Sequence, residues 1–222
     1  MAIINVSFII PVYNRPEEIN ELLNSFNNLE GNYDFEIVII EDGSNDSSEN
    51  IISKYSNVLN ISYFKKNNTG PGDSRNFGMK KAKGNYFIIL DSDCILPKDY
   101  LLNFFTNINH RYVDCFGGVD DSHHSFTSFQ KAVNFTMTSL ITTGGIRGGR
   151  SRHKSFQARS FNMGISKKTF ELTGGFSNIH PGEDPDLSLR ISKLALISEL
   201  YNNFKVYHKR RGNMLALFDY IL

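Results

Sequence analysis

Two carboxylates at spacing i, i+2, Asp91 and Asp93, follow the apolar run Tyr86-Phe87-Ile88-Ile89-Leu90. Hard divalent cations such as Mg²⁺ or Mn²⁺ take several anionic oxygens and accept water and phosphate oxygens for the rest. Two Asp make half of such a site, so a diphosphate and one further protein ligand would complete it. Asp91 capping a turn, with Asp93 in water, is the plain alternative. His208, after a last apolar run, is a candidate third ligand; an imidazole beside Asp and water favours Mn²⁺ somewhat over Mg²⁺. The following Lys209-Arg210-Arg211 could neutralise a departing diphosphate or simply be solvated, or touch a membrane surface.

Further carboxylates stand at Gly182-Glu183-Asp184-Pro185-Asp186. An acidic first helical turn is stabilised by the helix dipole, and that alone could explain them. The sharper reading makes one of them a general base, since deprotonating a hydroxyl needs a carboxylate or His facing a cleft. The stretch 68–75, NTGPGDSR, has glycines that let backbone N–H groups approach phosphate and an arginine, Arg75, that could clamp an oxygen. It is not a Walker loop. Glu41-Asp42 ends another apolar run, where a carboxylate can accept from a base N–H or ribose hydroxyls. Ser44, Asn45 and Asp46 supply caps for the next helix, which leaves Asp42 for another role. Pro11, Val12, Tyr13, Asn14 and Arg15 end the first apolar run, where a nucleotide or an ordinary turn are equally good readings.

The elements that must position these residues alternate. Residues 6–12, 35–40, 61–64 and 86–90 are continuous apolar or β-rich runs, the signature of strands buried on both faces. Helical spacing follows each of the first three: Ile19, Leu22, Leu23 and Phe26 from Pro16 onward, then residues 44–55, then a helix opened by Asp73. Alternation of strand and helix predicts βαβ units and a doubly wound, mostly parallel α/β sheet, whose ligands lie at the carboxyl ends of the strands. The second half reads as helix 98–108, strand 114–119, a long amphipathic helix over 125–142, a basic small-residue loop 143–153, strand 161–165, helix 167–173, helix 187–195 and strand 204–207. No linker separates independent domains. The expectation is one domain over 1–222, with a nucleotide-sugar half (1–95) and an acceptor half (96–222).

The 222 residues carry a formal net charge of +1, with 40% hydrophobic and 21% charged residues. Nothing there draws in nucleic acid. Cys94 and Cys115 have no metal-ligand spacing and imply no disulfide, which suits a reducing cytoplasm. No run is long enough to be a transmembrane helix, and the apolar N-terminus lacks the basic start and cleavage site of a signal peptide. The apolar pattern over 213–222 stops abruptly, so a continuation of the chain is expected.

Five pieces, SFIIPVYNRPEEINELLNS, EIVIIEDGSNDSS, NTGPGDSRNFGMKKAKGNYFIILDSDC, RSFNMGISKKTFELTGGFS and GEDPDLSLR, together resemble the inverting family-2 nucleotide-sugar glycosyltransferases of the GT-A fold. They occur in the family's order and cover most of the chain. The resemblance implies that Pro11, Val12, Tyr13, Asn14 and Arg15 line the nucleotide site, with Asp42 facing the base, Arg75 the phosphates, and Asp91 and Ser92 the nucleotide. Asp93, with Asp91 and His208, would hold Mn²⁺ or Mg²⁺. Asp184 would be the catalytic base and Glu183 its support. Asn162 and Gly145, the latter in the 143–153 loop, fall where acceptor contacts lie. The implied donor is a nucleoside-diphosphate sugar, a UDP-sugar being the commonest choice. The implied acceptor is a saccharide or glycan hydroxyl, in cell-surface polysaccharide synthesis in the cytoplasm or at the inner face of the membrane. FIILDSDC also resembles the nucleophile motif of haloacid-dehalogenase phosphohydrolases, but that motif normally follows the first strand, and here three strands precede it. A catalytically silent sugar- or nucleotide-binding module is the remaining alternative.

Overall fold

The computed structural model describes residues 3–143, 157–179 and 181–209. Four runs pair in parallel: β1 (Val6–Val12), β2 (Phe35–Asp42), β3 (Ile61–Lys66) and β4 (Tyr86–Leu90). They are joined by α1 (Pro16–Asn27), by α2 (Glu49–Ile52) with a 3₁₀ turn (Ser53–Tyr55), and by α3 (Pro71–Lys81). The rest adds β5 (Cys94–Ile95), α4 (Tyr100–His110), β6 (Cys115–Asp121), α5 (Ser128–Thr138), α6 (Leu140–Thr143), β7 (Asn162–Ser166), α7 (Lys167–Thr173), α8 (Glu183–Lys193) and β8 (Ser198–His208). One eight-stranded sheet runs in the order β3-β2-β1-β4-β7-β6-β8-β5.

Continuous apolar runs are buried on both faces because helices cover both. All five residues of β4 are buried. Odd and even strand positions feed two cores. Phe8, Ile10, Ile37, Ile39, Ile88 and Leu90 pack with α1 and α4, whereas Ile9, Val38, Ile40, Phe87 and Ile89 pack with α3 and α8. Truncating a side chain such as Ile88 to Ala would cost about 3 kcal/mol.

One strand direction decides where the chemistry gathers. β7 runs antiparallel to both β4 and β6, and β8 is parallel to β6. Two reversals restore the original sense, so β6 and β8 end on the same edge as β1, β2 and β4. Asp91 after β4, Asp120 and Asp121 at the end of β6, and His208 at the end of β8 therefore share one rim. β7 begins there, since Asn162 pairs with Leu90. The β6–β8 register slips between Gly118 and Val119; a side chain at Gly118 would run into the Asn162 amide and the Phe204 carbonyl.

Three expectations change. Ser44 and Asn45 do not cap a helix, since α2 starts only at Glu49 and has no side-chain cap. Ser44 instead binds Glu41 and accepts from the Asn14 N–H. The long helix expected over 125–142 is shorter, Ser128–Thr138, and its buried residues are Gln130 and Asn134 while Phe135 is 74% exposed; Phe126, just before it, is buried. The last strand is also longer than 204–207 and includes His208.

Candidate active site

The rim carries a continuous chain of charged side chains. At one end the two-residue strand β5 pairs with β8, setting Cys94 opposite His208. The Lys209 N–H donates to the Asp93 carbonyl at 2.8 Å, and the Lys209 ammonium holds both oxygens of Glu21 on α1. This register brings His208 Nε2 to 3.0 Å from Asp93 Oδ1 and 3.9 Å from Asp91 Oδ2. The ring is 5.5 Å from Phe161, centroid to centroid. Two carboxylates and an imidazole on an open rim suit Mn²⁺ or Mg²⁺ with oxygen ligands to spare. Among the described residues, the ligand atoms that lie within 4.8 Å of one another are those of Asp93, Cys94 and His208, with Asp91 outside that group. Burial, with Asp93 and Asp91 nearby, pushes the Cys94 thiol well above the usual range, and it donates to the Phe161 carbonyl. Arg15 approaches Asp93 at 3.7 Å while bonding Glu18.

Arg75 occupies the middle. The sequence places it toward nucleotide phosphates, but its guanidinium is buried. It donates to Asp91 Oδ1 at 2.9 Å, reaches Glu183 Oε1 at 3.5 Å, and lies over the Phe176 ring. The charge is already committed to neighbouring carboxylates, which hold it protonated against the opposing effect of burial. Arg75 is therefore a bridge between the Asp91 rim and the start of α8 rather than an exposed clamp.

At the other end the three carboxylates of α8 part company, because successive helical residues point about 100° apart. Glu183 turns to Arg75. Asp186 pairs with Arg190 at 2.7 Å. Asp184 faces the loop before β7, where its Oδ2 accepts from the Ser160 N–H at 3.0 Å and the Ser160 hydroxyl at 3.2 Å. Its Oδ1 is enclosed with no hydrogen-bond partner among the described residues. Burial raises the Asp184 pKa, and Arg75 and the two Ser160 donors only partly offset it. An enclosed carboxylate with one oxygen fixed and one unengaged is equipped to take a proton. A cleft of about 410 Å³ is bounded by residues 68–73, 177–179 and Glu183, the residue before Asp184.

The nucleotide-side expectations divide. Tyr13 is half exposed and Pro11 partly so. The Val12 side chain is 1% exposed and belongs to the core, so only its backbone could face a ligand. Asn14, at φ 50°, spends its side-chain oxygen on the N–H groups of Asn45 and Asp46. Asp42 is not freed by neighbouring caps: it accepts from the N–H groups of Thr69 and Gly70, both at 3.0 Å, and from Lys66. It thus shapes the 68–70 turn that borders the cleft. Ser92 is buried. Asn162 is corrected from acceptor contact to scaffold. It is fully buried, accepting from the Tyr100 hydroxyl at 2.7 Å and donating to the Phe204 carbonyl at 3.1 Å. Gly145, Arg210 and Arg211 lie outside the described residues. Ser160 and Phe176 carry no sequence signal of their own, although both fall within the stretch RSFNMGISKKTFELTGGFS that bears the family resemblance.

The sequence model "Glycosyl transferase family 2" matches residues 7–171, and the chain belongs to that family. It is 36% identical over 111 residues to poly(ribitol-phosphate) beta-N-acetylglucosaminyltransferase TarS of Staphylococcus aureus, covering 49% of this chain and 19% of TarS. Chondroitin synthase of Escherichia coli is 28% identical over 167 residues, 72% of this chain and 24% of the synthase. The chain thus spans a quarter or less of these relatives. The crystal structure of S. aureus TarS 1–349 in complex with UDP-GlcNAc superposes with TM-score 0.71 at 22% identity, over 95% of this chain and 60% of that one. Mannosyltransferase PcManGT of Pyrobaculum calidifontis, in complex with GDP-Man and Mn²⁺, gives TM-score 0.72 at 15% identity, over 96% and 59%. The fold is that of the GT-A glycosyltransferases.

Proposed function

We propose that this chain is the catalytic unit of a metal-dependent, inverting glycosyltransferase. The unit joins a donor half (1–95) to an acceptor half (96–222). It moves a sugar from a nucleoside-diphosphate sugar, a UDP-sugar, to a hydroxyl of a saccharide or glycan in cell-surface polysaccharide synthesis. The observation that carries the reading is the Asp184 carboxylate, tied at Oδ2, unengaged at Oδ1, and coupled through Arg75 to the Asp91–Asp93–His208 rim. Family membership and the UDP-GlcNAc complex of TarS support the donor class.

Asp184 Oδ1 removes the proton of the acceptor hydroxyl as its oxygen attacks the anomeric carbon from the face opposite the diphosphate. One displacement inverts the configuration. Glu183 and Asp91 hold Arg75 beside Asp184, and that positive charge favours the carboxylate over the carboxylic acid. Asp91, Asp93 and His208 would hold Mn²⁺ or Mg²⁺, which counters the charge developing on the leaving diphosphate. Tyr13, Pro11 and the turn braced by Asp42 flank the nucleotide. No helix among the described residues is long and apolar enough to cross a membrane; the reading places the reaction in the cytoplasm, with any membrane contact peripheral.

Calorimetric titration with UDP, GDP, CMP and dTDP, each with and without Mn²⁺, tests the donor site. Metal-dependent binding of UDP supports it. Binding of none of the four in the presence of metal would sink the reading.

A further inference from the structure

The buried face of α5 is polar where an amphipathic helix would be apolar. Gln130 and Asn134, one turn apart, point inward, and Phe135 stays in solvent. The inward amide of Asn134 has a specific object: its Nδ2 donates to Asp120 Oδ1 at 3.1 Å. Asp120 is 5% exposed. It pairs with Val206 across the parallel β6–β8 ladder. His208 lies two residues beyond Val206 and so projects from the same face. Asp120 Oδ2 lies 3.9 Å from His208 Nδ1, on the opposite side of the ring from Asp93. His208 Nδ1 is enclosed and makes no hydrogen bond among the described residues.

A histidine that offers Nε2 to a cation carries its remaining proton on Nδ1, and an acceptor facing Nδ1 fixes both that tautomer and the ring's direction. We infer that Asp120, gripped by Asn134, is a positioning residue that orients His208 for the divalent metal. The inference rests on the metal reading of the Asp91–Asp93–His208 rim. It explains why Asn134 points inward; Gln130, the other inward amide, closes the capping box with Thr127 at the start of α5.

The test is Mn²⁺ binding, read by the loss of the free-ion electron paramagnetic resonance signal, with folding checked by circular dichroism. It compares the unaltered chain, Asp120→Asn, Asn134→Ala, His208→Ala and the Asp120→Asn/His208→Ala double variant. Asp120→Asn should weaken Mn²⁺ binding roughly 10- to 100-fold, and Asn134→Ala should weaken it less. In the His208→Ala background Asp120→Asn should add no further loss, a non-additivity that general destabilisation would not produce. Unchanged affinity in Asp120→Asn, or the same fold-loss in both backgrounds, overturns the inference while leaving the metal site standing. No saturable Mn²⁺ binding by the unaltered chain overturns the metal reading, and the inference with it. Should Asp120→Asn fail to fold, Asn134→Ala decides: unaltered-chain affinity there overturns the inference.

Discussion

At Asp184 a half-buried carboxylate has one oxygen held by Ser160 and the other shielded from water with no hydrogen bond among the described residues. At Asp93 a carboxylate stays 18% exposed and faces an imidazole and an arginine. Asp184 feels the Arg75 charge, and Asp93 shares His208 with Asp91, which Arg75 bonds. The first surrounding disfavours negative charge, which on the proposed reading suits a proton acceptor. The second brings carboxylate and imidazole atoms together at a half-buried point, which on the proposed reading is the cation site. Chemically identical side chains acquire separate roles because their neighbours differ.

The sharpest way to break the contrast is to remove the base. Asp184→Asn should lower the transfer rate roughly 10²- to 10⁴-fold while Mn²⁺-dependent nucleotide binding, measured by calorimetry, stays near normal. Its melting temperature at neutral pH should not fall. A carboxylate whose folded pKa lies above its unfolded one costs stability when ionised, and the amide removes that cost. A parallel loss of nucleotide affinity would instead put Asp184 among the donor ligands. At the other end, chelation by EDTA should cut transfer by about 10²-fold or more, as the loss of several kcal/mol of charge stabilisation requires, with recovery on adding Mn²⁺. Activity untouched by EDTA would erase the distinction between the two ends.

Arg75→Met probes the link between them. It strands Glu183 and Asp91 beside an enclosed Asp184, and breaking a buried pair costs about 3 kcal/mol, visible in urea unfolding. The smallest expected effect belongs to Ser160→Ala. The backbone donor to Asp184 survives and the hydroxyl is lost, so the rate should fall roughly threefold. The acid limb of kcat/KM gives the sign. On the proposed reading Asp184 acts ionised; burial already raises its pKa, and losing a donor to the ionised form raises it further. Activity should therefore disappear at higher pH in the variant than in the unaltered chain as the solution is acidified. An acid limb that does not move would mean that another group sets it.

Much of this is legible in the chain alone. Tyr86–Leu90 reads as a doubly buried strand because it lacks polar alternation, and its carboxyl end locates Asp91 and Asp93. Pro16 and Lys167 mark helix starts that the structure keeps. What stays illegible depends on partners far along the sequence. Asp42 looks spare because the N–H groups it binds, those of Thr69 and Gly70, lie 27 and 28 residues away. Asn162 resembles a contact residue because a buried amide looks the same in sequence as a surface one. Asp120 and Asn134 give no pattern, since one tertiary contact between polar residues has no period. The reversal at β7 is equally invisible, although it decides which strand ends meet.

The pairing of Cys94 with His208 joins residues 114 positions apart by a two-residue ladder. Loop closure over such a span is slow compared with local βα pairing. On the ribosome, the first four strands can assemble and bury their cores long before β8 emerges. The nascent chain would thus hold a shaped donor half that lacks its imidazole, and competence would arrive with the last strand. On the proposed metal reading, a partly made chain would carry Asp91 and Asp93 and gain His208 only with its last strand.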